Sequence, residues 1–153
     1  MKVFKIIICL AFFALNGLHA QTAARTKQFN LEGGLAIQGY DPVAYFTQKK
    51  ATKGSKQFAA TVEGVTYNFA SAANKDLFLK EPKKYEPQYG GWCAYALGSN
   101  NEKVEIDPET FQLKDGKLYL FYHTWVNNTY TKWQKDESNL RTKADKNWQT
   151  IYH

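Results

Sequence analysis

Cysteine is nearly absent from this 153-residue chain, with only Cys9 and Cys93 present. Histidine is scarce as well, at His19, His123 and His153. No apolar run outside the first twenty residues approaches the roughly 20 residues of a membrane span. Lysine and glutamate are spread along the chain without a basic block, which argues against a nucleic-acid partner. There is no HExxH, no phosphate loop and no serine elbow, so the common signatures of zinc proteases, nucleotide hydrolases and serine hydrolases are missing. We find no internal repeat and no low-complexity segment.

The first twenty residues, MKVFKIIICLAFFALNGLHA, place Lys2 and Lys5 ahead of an apolar run from Ile6 to Leu15 and close on small, weakly polar residues. That order is expected of a secretory signal peptide of bacterial type cleaved after Ala20, although Leu18 is large for its position. No small-residue-plus-Cys lipidation site follows, so no membrane anchor is expected after cleavage. The mature chain would run from Gln21 to His153, 133 residues with formal charge reduced from +6 to +4. It suits one exported domain, periplasmic or secreted. Cys9 and His19 leave with the leader. Cys93 then has no disulfide partner, and is a buried wall residue, a metal ligand or a reactive thiol.

Along the body, 21–34 reads as a loose polar arm and Leu35–Gln38 as a short strand. Gly39-Tyr40-Asp41-Pro42 reads as a turn, with the apolar Val43–Phe46 after it. Phe58–Phe69 alternates as a hairpin around Glu63-Gly64. Ser71 caps a helix that Pro82 ends. Lys83–Tyr89 is a connection broken by proline. Gly90-Gly91 precedes a helix from Trp92 to Leu97, with Gly98 as its C-cap. Short strands are expected at Val104–Ile106 and Thr110–Leu113, parted by Asp107-Pro108. Asp115-Gly116 turns the chain into a strand from Lys117 to His123. The last third is helical, with Trp125, Val126, Tyr130 and Trp133 on one stripe and Leu140, Ala144 and Trp148 on another. The fold class is α+β: a small single domain of antiparallel hairpins packed on helices, with 124–153 as C-terminal helices.

Candidate sites follow from the few chemically distinctive residues. In the first turn of a helix, the thiolate of Cys93 would be favoured and would suit a soft metal. At a strand end, His123 would add an imidazole, and Asp41 a carboxylate as third ligand. Asp107, a tyrosine or the terminal His153 are further donors. The alternatives are a Cys93 buried on an apolar face with Ala96 and Leu97, a surface or capping His123, and an Asp41 that caps the amides of Val43 or Ala44. Tyr40, Tyr89 and Trp92, with Tyr85 and Tyr95, would line an aromatic pocket for a small molecule or form part of the core. A thiol enzyme would need Cys93 to have a base and an orienting group. Asn127-Asn128-Thr129 is a glycosylation sequon expected to go unused in a bacterial protein.

The segments GYDPVAYF (Gly39–Phe46), Tyr67–Ser71, the helix with Phe78, EPKKYEPQYGG (Glu81–Gly91), CAYAL and DGKLYLFYH together resemble the YHS domain family, in particular an exported branch with GYDPVAYF and YGGxCA. The resemblance spans about Leu35 to His123. It implies a small mixed fold and metal binding, copper above all. The family's ligand cysteines are missing, since Ala44, Ala70 and Ala73 stand at or near their places. The expectation is therefore a non-enzymatic exported module. It would bind copper through Cys93, His123 and Asp41, or alternatively a small molecule or protein through its aromatic pocket, or, third, act as a thiol enzyme.

Overall fold

Two β-hairpins organise the chain, and both turn where Gly follows an acidic residue. The computed structural model describes residues 22–152, with side chains through Ile151. The expected leader, Cys9 and His153 lie outside the described residues. Strand β3 (Ser55–Val62) pairs antiparallel with β4 (Val65–Phe69), and β5 (Asp107–Lys114) with β6 (Lys117–Phe121). Both turns put two successive residues at positive φ, Glu63 (48°) with Gly64 (81°) and Asp115 (52°) with Gly116 (71°). That is the two-residue connection whose twist matches its flanking strands. Two short strands, β1 (Leu31–Glu32) and β2 (Leu35–Ala36), extend the first hairpin into a four-stranded sheet of order β1-β2-β4-β3, with β2 parallel to β4.

The helices expected from the sequence largely start where it places caps, and three further helices were not expected. Residues 22–28 form α1, not a loose arm. Four-residue spacing brings Arg25 over the ring of Phe29, and Arg25 is buried. Pro42–Gln48 is α2, with Pro42 in its first turn and Asp41 as N-cap. The sequence suggests only a turn and an apolar run there, although Asp-Pro is also a helix start. Ser71 caps α3 (Ala72–Lys80), accepting from the Asn74 amide at 3.2 Å, and Pro82 begins the single turn α4 (Pro82–Tyr85). The expected broken connection therefore contains α4 and a 3₁₀ turn at Gln88–Gly91.

Helix α5 runs Ala94–Asn100, two residues later at its start than expected. Gly98 lies inside it, and Asn101, in the left-handed region, takes the C-cap place. The strand expected at Val104–Ile106 is irregular, and β5 passes straight through Asp107-Pro108. Pro108 is tolerated because the register shifts between Asp107 and Phe111, a bulge that needs no amide from it. Trp125 and Val126 are not on a helix. They form the turn of a further hairpin, β7 (His123–Thr124) with β8 (Asn127–Asn128). The Asn128 side chain then accepts from the Tyr130 and Thr131 amides and starts α6 (Thr129–Gln134). The Leu140, Ala144, Trp148 stripe does lie on a helix, α7 (Glu137–Tyr152), which packs on α5. No helix among the described residues is long and apolar enough to cross a membrane. The fold is α+β.

Strand β6 divides the core. Leu118 and Leu120 face a cluster with Val43, Tyr45, Tyr67, Phe69, Phe78 and Cys93. Tyr119 and Phe121 face a second, with Ala94, Leu97, Trp133 and Ala144. Each fully buried large apolar side chain stabilises the fold by about 1.5–3 kcal/mol. Aromatic edges fill both clusters, including Tyr67 and Phe78 at 4.5 Å and Tyr119 and Trp133 at 5.8 Å. Polar tips are satisfied at the margins: the Tyr45 hydroxyl donates to the Pro108 carbonyl (2.8 Å) and Trp133 Nε1 to Gln112 Oε1 (2.9 Å).

Candidate functional site

A cleft of about 830 Å³ opens where α1, the tip of the first hairpin, the 88–91 turn and the C-terminal half of α7 meet. Its apolar lining is Phe29, Tyr89 and Trp148, and its polar lining includes Arg25, Glu86, Lys83, Lys117 and Asp145. A volume of this size takes a small molecule, and apolar walls with a few directed polar groups are what such sites use. The backbone under the aromatic side is unusual. Tyr89 holds φ at 57° and Gly90 at 60°, a left-handed pair in which Tyr89 is strained. A Cβ on Gly90 would stand 2.8 Å from Trp148 and 3.0 Å from Phe29, so only glycine lets both rings close on the main chain.

The charged wall is a network. Arg25, with a side chain 9% exposed, pairs with Glu86 and lies 3.2 Å from Glu63 through Nε, without hydrogen-bond geometry. The Tyr67 hydroxyl donates to Glu86 at 2.9 Å, and burial with the Glu86 charge pushes its pKa up. Tyr89 behaves alike: burial, then Asp145, raises its pKa, and its hydroxyl donates to Asp145 Oδ1 at 2.9 Å. Both tyrosines are therefore neutral donors. Lys83 and Lys117, by contrast, are exposed and have no ion pair or hydrogen-bond partner among the described residues.

The residues anticipated as metal ligands are each engaged in other bonds. Asp41 is fully buried. Its Oδ1 accepts the amides of Val43 (2.8 Å) and Ala44 (3.3 Å), and its Oδ2 accepts the Ala70 amide (2.8 Å) and Asn74 Nδ2 (2.6 Å). Four donors leave that carboxylate no coordination to spare, and they join α2 to the start of α3. Cys93 is the N-cap of α5 and is fully buried. Its sulfur accepts the Tyr122 amide at 3.3 Å and meets the Thr129 hydroxyl at 3.4 Å. His123 is exposed, and its Nδ1 lies 3.2 Å from Asp107 and 3.1 Å from Thr110. Burial raises the Asp107 pKa, but hydrogen bonds from Thr110, the Glu109 amide and His123 outweigh it and hold the carboxyl below its ordinary value. Among the described residues no group of three or more His, Cys, Asp or Glu is placed to hold a metal ion.

The expected aromatic trio is dispersed too. The Tyr40 hydroxyl reaches Glu109 at 3.4 Å, with Lys53 over its ring, while Trp92 Nε1 donates to the Gln28 carbonyl at 2.6 Å. Tyr85 packs edge-on to Phe46, and Tyr95 carries Lys132 over its ring. Of the trio, only Tyr89 lines the cleft. Of its other walls, Trp148 is expected from the sequence only as part of a helix stripe, and Arg25, Phe29 and Glu86 are not singled out there. The signal for Arg25 and Phe29 is their spacing of four in a segment that reads as a polar arm.

Comparison with curated proteins and with solved structures gave no match. Residues 43–89, from α2 through the first hairpin and helices α3 and α4 to Tyr89, match the YHS domain family, a span shorter than half of the chain.

Proposed function

We propose that this protein is an exported, non-enzymatic binding module that takes a small organic molecule with a flat apolar body and an acidic group. The observation that supports this reading is the cleft, with its volume of about 830 Å³ and its wall of Phe29, Tyr89 and Trp148. The formal charges of the lining balance, Arg25, Lys83 and Lys117 against Glu63, Glu86 and Asp145, and the two lysines are the cations left over for an acidic group. Glu63 and Glu86 are engaged by Arg25, and Asp145 accepts from Tyr89, whereas Lys83 and Lys117 have no partner among the described residues. An acidic group lying between those lysines would place the body of the ligand on the rings.

Copper handling, which the family implies, finds no donor set in these residues. The thiol of Cys93 is buried and hydrogen-bonded, the carboxylate of Asp41 is saturated by N–H donors, and His123 is turned to Asp107. We derive no step through a metal. A Cys93 enzyme lacks support for the same reason, since a nucleophile must be reachable and have a base at hand.

Anilinonaphthalene sulfonate, an anionic aromatic fluorophore, tests the reading. It is expected to bind the native chain with enhanced emission, and Lys117→Glu and Lys83→Glu are expected to weaken it several-fold while leaving the circular dichroism unchanged. Absence of native-state binding, or binding indifferent to both substitutions, would refute it.

A further inference from the structure

Trp125 and Val126 are 104% and 95% exposed, far beyond Leu77 and Leu79, the other large apolar side chains exposed among the described residues. They are consecutive and sit at the apex of the β7–β8 hairpin. The ribbon beneath them is held firmly. His123 ties its first strand to Asp107 and Thr110 on β5. Its second strand leads into Thr129, whose amide and hydroxyl both donate to the Tyr122 carbonyl, at 3.0 and 2.7 Å. An indole and an isopropyl group are thus carried clear of the body on a fixed support.

We propose that this apex is a membrane-surface contact, with Trp125 and Val126 entering the headgroup boundary of an anionic bilayer. The flanking Thr124, exposed beside them, is an uncharged hydrogen-bonding residue suited to the headgroup zone where an indole sits with its N–H wet. From Tyr122 to Lys135 there is no carboxylate, and Lys132 and Lys135 follow the hairpin. The acids near its base, Asp107 and Glu109, are on β5 and face His123, Thr110 and Tyr40. The chain beyond the expected leader carries a formal charge of +4. A small apolar tip on a cationic body is the two-part signal of reversible peripheral attachment. A specific protein contact would bury about 800 Å² on each side, and the polar flanks of this apex offer no apolar patch of that size.

The test uses the full chain and vesicles containing phosphatidylcholine with brominated acyl chains, with or without phosphatidylglycerol. Because the apolar run at Ile6–Leu15 can itself partition, the readout is local quenching of Trp125 rather than total binding. Emission of the wild type is expected to be quenched several-fold more with phosphatidylglycerol present, and Trp125→Phe is expected to remove that difference. The side chain is wholly exposed, so the fold does not depend on it. Equal quenching of both proteins, no quenching, or quenching indifferent to lipid charge would each overturn the proposal.

Discussion

Gly98 of α5 lies flat against the backbone of Leu140 in α7. A Cβ added to it would stand inside contact distance of the Leu140 carbonyl oxygen and 3.0 Å from its carbonyl carbon. Gly→Ala within a helix ordinarily stabilises by about 1 kcal/mol. Here the two helices would have to separate, and overpacking costs about 1–3 kcal/mol. Gly98→Ala should therefore destabilise the fold, by up to about 2 kcal/mol once the propensity gain is set against the overpacking. A urea midpoint unchanged or raised would show that α7 does not press on α5 at this point.

The four donors on Asp41 make it a structural post. Asp41→Ala strands buried amides at Val43, Ala44 and Ala70, and each unsatisfied group costs about 1–3 kcal/mol. Asp41→Asn keeps one oxygen but turns an NH₂ toward donors. Both variants should lose at least about 2 kcal/mol in chemical denaturation. A stable Asp41→Ala protein would return the carboxylate to the list of functional groups.

Cys93 should be chemically silent in the native state. A thiol reagent should modify it at a rate that rises with denaturant and follows unfolding, because the sulfur is fully buried between Tyr122 and Thr129. Cu(I) titration should be the same for wild type and Cys93→Ser. Rapid labelling in water, or tight Cu(I) binding lost in Cys93→Ser and His123→Ala, would restore the thiolate reading.

The Asp107–His123 pair gives the fold an acid-sensitive point. A carboxyl held below its unfolded value in the native state stabilises above that unfolded value, and its contribution fades as pH falls through the native one. The contribution of Asp107 therefore holds at mildly acidic pH and weakens only toward the acid end. The stability difference between wild type and Asp107→Asn should be measurable at about pH 5 and shrink by about pH 2. A difference that grows on acidification would contradict this linkage.

The parts legible in the sequence are those set by local chemistry. Glu63-Gly64, Asp115-Gly116 and Ser71 each act through backbone conformation or a bond within a few residues, and each lies where expected. The amide cap offered by Asp41 was also readable, but its second oxygen answers Ala70 and Asn74, about thirty residues away. The apolar spacing of Trp125, Val126, Tyr130 and Trp133 fits a helix only until Asn128 restarts one at Thr129. The cleft was hidden because its walls come from four separate segments. Arg25 in particular looked like a solvated side chain until Glu86, sixty-one residues later, came beside it.

Strand β6 bears on how the chain can be divided. Its Leu118 and Leu120 close the cluster that contains Val43, Tyr45, Tyr67 and Phe69, yet they lie beyond the span that matches the YHS domain. A fragment cut at 43 and 89 would leave that apolar surface open to water and would also lose Asp41, the cap of its first helix. The recognisable stretch is thus a portion of a cooperative unit, and expression boundaries drawn from it alone would yield an aggregating peptide.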